Sequence, residues 1–220
     1  SPWARLHARL EQGMLHPGAG DSNHAVIDEA IVQVDQVLEL FAAILRIAEV
    51  ESGQTRRFFK SVDVSALVAD LAESYAPALQ DAGRVLLWSV EPGISVDGDR
   101  ELLAQALVNL IEHAQRPTPV GTIVRLTLLA ADDVVCIRVA DNGPGVPNSE
   151  LGRMVKRFAR LDSSRTTPGH GLGLNLVRAV AKLHGGTLAL ESPGGGVFAT
   201  IELPRTSGLL QSGESGTSLQ

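Results

Sequence analysis

Val134-Val135-Cys136-Ile137-Arg138-Val139-Ala140-Asp141-Asn142-Gly143-Pro144-Gly145 decides how this chain folds. The first seven residues are an apolar run rich in β-branched side chains, which reads as a strand. The last five are turn residues. Asp141 stands between the two, a carboxylate at the end of a strand, where it can accept a hydrogen bond from an exocyclic amine. A second glycine-rich stretch, Gly169-His170-Gly171-Leu172-Gly173-Leu174, begins 28 residues after Asp141 and opens an apolar helix. Clustered glycines let backbone approach a ligand closely and turn amide N–H groups toward anionic oxygens. A helix beginning behind such a loop adds its positive end, which suits phosphate. The two loops together read as a purine nucleotide site, one for the base and one for the phosphates.

The elements around these loops follow from pattern. Residues 64–76 form an amphipathic helix with Asp63 near its N-terminus, and 84–90 a strand. Gly98-Asp99 starts a helix through Leu102, Leu103, Ala106, Leu107, Leu110 and Ile111. Residues 120–130 and 134–140 are strands joined by Ala131-Asp132-Asp133. Residues 172–183 form a helix, and 187–190 and 197–203 are strands. This order predicts an α+β fold, a two-layer α/β sandwich in which helices cover one face of a mixed sheet. His184 reads as a helix C-terminal residue favourable to the dipole.

The N-terminal part has a different character. Residues 1–13 are a short helical stretch, and 16–21 a connector rich in breakers. A long helix follows to Val50, with Ile27, Ile31, Val34, Leu38, Phe41, Leu45 and Ala48 at heptad spacing. Its apolar face is wide enough for a four-helix bundle. The domain reading is a helical hairpin over residues 1–55, a sandwich over 56–205 and a disordered tail over 206–220. The first helix of the hairpin is about half the length of the second, so its missing half is expected before Ser1.

Bulk composition bounds the rest. Aromatic residues make up only 4% of the chain, so the core must be built from Leu, Val, Ile and Ala. A net charge of −6 without a long basic run speaks against a nucleic-acid partner. No run approaches the ~18 apolar residues of a membrane span, so no membrane contact is expected of this portion. One cysteine, Cys136, excludes an intramolecular disulfide, fits a cytoplasmic location and reads as a small core residue.

Four stretches in fixed order carry a resemblance. They are Leu107-Val108-Asn109-Leu110-Ile111-Glu112-His113-Ala114-Gln115-Arg116, the Asp141–Gly145 loop, Arg157-Phe158-Ala159-Arg160, and the Gly169–Leu174 loop. In this order the chain resembles the core of a bacterial sensor histidine kinase. They look like that family's asparagine box, first glycine box, phenylalanine box and second glycine box. The resemblance implies a Bergerat-type ATP site. Asp141 would receive the adenine amino group, with Gly143 and Gly145 forming the turn beside the base. Gly169, Gly171, Leu172 and Gly173 would bring backbone to the phosphates, and Arg116 would contact phosphate. Arg160 and Arg165 would lie in an ATP lid and act in catalysis with Asn109. The implied cofactors are ATP and Mg2+, with Asn109 and His113 as the metal-side pair. The implied partners are a second copy, through the hairpin, and a response regulator receiver domain. A parent protein anchored in the inner membrane is compatible with this.

Two departures qualify the resemblance. His113 stands where the family has a second asparagine that ligates magnesium, and imidazole suits zinc, copper or nickel better. Pro117 replaces an aromatic residue near the adenine. Ser1-Pro2-Trp3-Ala4-Arg5-Leu6 looks like the end of the phosphoacceptor signature, which puts that histidine four residues before Ser1. This stretch alone is therefore expected to bind nucleotide and dimerise without phosphorylating itself. The alternative reading is a degenerate kinase that acts as a response-regulator-binding scaffold.

Overall fold

The computed structural model describes Leu45 and residues 48–51, 54–115, 118–154 and 172–206. Residues 1–44, 46, 47, 52 and 53 of the N-terminal hairpin, the tail after Thr206, Arg116, Pro117, Arg160, Arg165, Gly169 and Gly171 lie outside the described residues. A short 3-10 turn, Gln54–Phe58, leads into strand β1 (Lys60–Asp63), helix α1 (Val64–Asp81) and strands β2 (Val85–Val90) and β3 (Ser95–Gly98). Helix α2 (Arg100–Gln115) precedes the hairpin of β4 (Ile123–Ala131) and β5 (Val134–Asp141). A short helix α3 (Asn148–Met154), helix α4 (Gly173–Leu183) and strands β6 (Thr187–Glu191) and β7 (Phe198–Pro204) complete the fold.

Five strands form one mixed sheet in the order β2-β4-β5-β7-β6. β2 runs parallel to β4, and every other pair is antiparallel. Strand period sets the layers: Val124, Leu126 and Leu128 of β4 are buried with Val135, Ile137 and Val139 of β5 and Ala199, Ile201 and Leu203 of β7. Their cover comes from Leu67, Val68 and Ala72 of α1, Leu103, Leu107 and Leu110 of α2, and Val177 and Val180 of α4. Arg125 and Arg138 point to the other, open face. This is the expected two-layer α+β sandwich. Cys136 differs from its expected core placement, because its register on β5 turns it to the open face, half-buried.

Three further differences have local causes. Helix α1 passes through Pro77 and ends at Asp81. The proline removes one helical N–H, yet Leu79 beyond it is completely buried. The helix closes where Gly83, at φ 69°, turns back and the Gly83 and Arg84 amides donate to Gln80 and Leu79 carbonyls. Its start agrees with the sequence reading, since Asp63 Oδ1 accepts the Ala66 amide at 2.8 Å. Strands β1 and β3 pair as a separate antiparallel ribbon. At four residues each they are too short to show a period. Helix α3 likewise spans only seven residues between the two glycine loops.

His184 also behaves differently from the cation expected at a helix end. It is 3% exposed. Its Nε2 accepts the Asp99 amide at 3.0 Å. That leaves the ring proton on Nδ1, which lies 2.8 Å from the Val180 carbonyl oxygen. The ring is therefore neutral. Burial holds its pKa below the ordinary imidazole value, helped by Arg56 and opposed by the Val180 carbonyl and the Asp99 carboxylate. The folded protein thus binds this proton more weakly than the unfolded chain does. Stability from this site is complete above the unfolded value of about 6.5 and falls as pH drops below it. Urea midpoints measured from pH 8 to pH 5 are expected to decline below about pH 6.5, and His184→Gln should flatten that decline.

Candidate functional site

Asp141 ends β5, the central strand of the sheet, and is 6% exposed. Its Oδ1 accepts the Gly143 amide at 2.8 Å, and Oδ2 accepts the Val197 amide at 3.1 Å. The carboxylate is thereby fixed in plane and orientation, with lone pairs left for a further donor. Burial raises its pKa above the ordinary aspartate value, against the lowering effect of those amides.

A second loop, residues 192–196, holds the Asp141 loop in shape. Ser192 Oγ donates to the Gly196 carbonyl at 2.7 Å and accepts the Val146 amide at 3.0 Å. The Gly196 amide donates to the Gly143 carbonyl at 2.7 Å. Gly145 and Gly196 both take left-handed backbone, at φ 70° and 77°. At Gly196 a Cβ would fall 1.7 Å from the Asp141 carbonyl oxygen, so only glycine lets the two loops touch. Sequence reasoning missed this brace. Its only signal was the Ser-Pro-Gly-Gly-Gly run itself, between two strands.

Thr118 is the third missed residue. It is 4% exposed and follows the end of α2. Its Oγ1 lies 3.1 and 3.0 Å from the Ala114 and Gln115 carbonyls and accepts from Arg84 Nε at 3.3 Å. Arg84 also donates to the Thr118 carbonyl. A Cβ on Gly143 would lie 2.7 Å from Thr118 Cγ2. The end of α2 is thus in contact with the Asp141 loop.

The middle of α2 meets the other loop. Asn109 donates from Nδ2 to the Gln105 carbonyl at 2.8 Å, which turns Oδ1 outward toward Gly173. A Cβ on Gly173 would lie 2.8 Å from that oxygen. Gly173 starts α4, whose N-cap residue Leu172 provides no side-chain cap. The N-terminus of a helix turns its first amides and the positive end of its dipole outward, which favours negative charge there. Helix α2 packs on both β5 and α4, so Asp141, Gly143, Thr118, Asn109 and Gly173 converge around its C-terminal half.

The donor chemistry for a metal is uneven. Asn109 Oδ1 is a hard oxygen and fits Mg2+. His113, one turn along α2, offers nitrogen and does not. Among the described residues no group of three or more His, Cys, Asp or Glu could hold a metal ion. No described helix is long and apolar enough to cross a membrane.

Residues 98–207 match the family described as histidine kinase-, DNA gyrase B-, and HSP90-like ATPase. The probable sensor histidine kinase TcrY of Mycobacterium tuberculosis is 33% identical, over 84% of this chain and 40% of that protein. The mycobacterial sensor histidine kinase MprB superposes with a TM-score of 0.59 at 28% identity, over 67% of this chain and 97% of that one. The histidine kinase ThkA, in a crystal structure with the response regulator protein TrrA, gives a TM-score of 0.70 at 17% identity, over 94% and 58% of the two chains. At that identity the likeness concerns the fold alone. The chain spans less than half the length of the curated relatives it matches.

Proposed function

The chain belongs to the histidine kinase-, DNA gyrase B- and HSP90-like ATPases, and from that premise we propose that it is the ATP-binding core of a two-component sensor histidine kinase. The observation that carries the reading is the Asp141 carboxylate, locked by two backbone amides. Only a few degrees of freedom remain to it, which suits recognition of one fixed donor, the adenine amine. Gly143 and Gly145 form the turn beside the base, with the Thr118 methyl under Gly143. The phosphates lie toward the N-terminus of α4, with Gly169 and Gly171 supplying the preceding loop. Asn109 Oδ1 would hold Mg2+, which would supply neutralisation of phosphate charge. His113 stays out of the metal shell.

In this reading Arg116, Arg160 and Arg165 neutralise phosphate charge from the end of α2 and from a lid over the site. Phosphoryl transfer asks the protein for positioning and charge neutralisation rather than covalent chemistry of its own. The γ-phosphoryl group goes to a histidine on the dimerisation helices, of which residues 1–55 form a part, and then to an aspartate of a response regulator. The resemblance to TcrY and MprB supports this assignment.

Calorimetric titration with ATP, with and without Mg2+, tests the reading. Micromolar binding that strengthens with Mg2+ is expected, and His113→Asn should deepen the magnesium dependence several-fold. Absence of detectable ATP binding would overturn the nucleotide reading and favour a scaffold role.

A further inference from the structure

Helices α2 and α4 lie antiparallel, with the start of α4 at the middle of α2 and the end of α4 at the start of α2. At one end Gly173 touches Asn109, close enough that a Cβ would lie 2.8 Å from Oδ1. At the other end His184 joins the two helices by a side-chain hydrogen bond. This residue C-caps α4, and its Nε2 accepts the amide of Asp99 at 3.0 Å. Asp99 starts α2, where its Oδ1 accepts the Glu101 and Leu102 amides at 2.9 and 3.0 Å. Gly98 leaves no slack, since a Cβ there would lie 2.5 Å from His184 Cδ2. On the ring face, Phe59 stacks with centroids 4.6 Å apart and planes 19° apart. Phe59 directly follows the 3-10 turn Gln54–Phe58.

We propose that His184 is a positioning residue: with Phe59 it fixes the register of α2 against α4, and so sets how Asn109 and the amides at Gly173 meet the phosphates. The physical ground is stiffness. Asn109 lies ten positions, about 15 Å of helical rise, beyond Asp99, and each helix moves as a stiff rod, so a slip at one end of α4 is carried to its other end. Gly173 lies so close to Asn109 Oδ1 that no side chain fits between them, so a shift of α4 along α2 changes what that oxygen faces. The base pocket is held from outside α4, because Asp141 is fixed by Gly143, Val197 and the residue 192–196 loop and Thr118 ties the end of α2 to Gly143, so a slip at the His184 joint displaces α4 rather than α2. Movement of the segment at Phe59 therefore changes phosphate affinity and leaves base affinity alone.

The proposal rests on the nucleotide reading, and its test separates the two. ATP and adenosine affinities are measured on the 220-residue chain and on His184→Leu, His184→Gln and Phe59→Leu, with amide hydrogen exchange on each protein without nucleotide. Leucine removes the acceptor, whereas Gln Oε1 can replace Nε2 for the Asp99 amide. In His184→Leu, ATP affinity is expected to fall about tenfold and adenosine affinity to stay within about twofold. His184→Gln should recover most of the loss. Phe59→Leu, which leaves the imidazole in place, should show the same split more weakly. Exchange should rise at residues 172–176 and stay unchanged at 141–146. Parallel loss of both ligands, or loss of neither, would overturn the proposal. If the unaltered chain binds neither ligand, the nucleotide reading fails and the exchange pattern decides. A rise confined to residues 172–176 then upholds the joint, and an unchanged pattern overturns it.

Discussion

Asp141→Asn is expected to weaken ATP binding by about tenfold to a hundredfold, the loss of a hydrogen bond to a charged acceptor. The change is nearly isosteric, so the effect comes from chemistry rather than packing. Both carboxylate oxygens already accept backbone amides, from Gly143 and from Val197. An asparagine side chain has one acceptor, so its NH2 group must face one of those N–H donors. Either the Gly143 or the Val197 amide loses its partner inside the protein. Stability should fall as well, by about 1–3 kcal/mol for one buried unsatisfied donor. Titration with ATP and urea unfolding of the same variant measure the two effects. Unchanged affinity would remove Asp141 from the role of base acceptor.

The second large effect is expected at a residue remote in sequence from Asp141. Gly196→Ala places a methyl group 1.7 Å from the Asp141 carbonyl oxygen and 2.7 Å from its carbon, on backbone at φ 77°. Neither atom belongs to a flexible side chain, so the loop itself must move. Displacement removes the Gly196 amide from the Gly143 carbonyl and the Val197 amide from Asp141 Oδ2. The sum of strain and lost hydrogen bonds is about 3 kcal/mol or more. Gly194→Ala is the matched control. Gly194 has φ 97° but open space where a Cβ would stand, so only the conformational cost of about 1–2 kcal/mol remains. Urea unfolding of the pair should show this difference, and ATP binding should be lost in Gly196→Ala alone. Equal costs in the two variants would mean that the brace does not hold the site.

Much of the sheet was legible in the sequence. The alternation along β4 and β5 is regular, and Asp141 breaks it at the point where the strand ends. Asn109 entered through the resemblance of residues 107–116 to the family's asparagine box, and not through any pattern of the helix itself. The brace at residues 192–196 was not, because no local pattern joins a loop to a strand end 56 positions earlier. Thr118 was hidden for a similar reason: its partner Arg84 lies 34 positions away. His184 misled in the opposite direction. A histidine at a helix C-terminus ordinarily reads as a favourable cation, but only the tertiary structure supplies the Asp99 amide that makes it neutral. The ribbon of β1 and β3 needed its partner strand as well, since four residues carry no usable period.

The central place of β5 has a consequence for how the protein is made. Asp141 leaves the ribosome 56 residues before Val197, the amide that closes its carboxylate. At about 5–20 residues per second this leaves roughly 3–11 s in which the strand has β4 beside it and no β7. A nascent chain in that interval has an open β5 edge and no finished base pocket. Nucleotide therefore cannot act as a folding template for the growing chain, and its stabilising effect begins only when synthesis of the sheet is almost over.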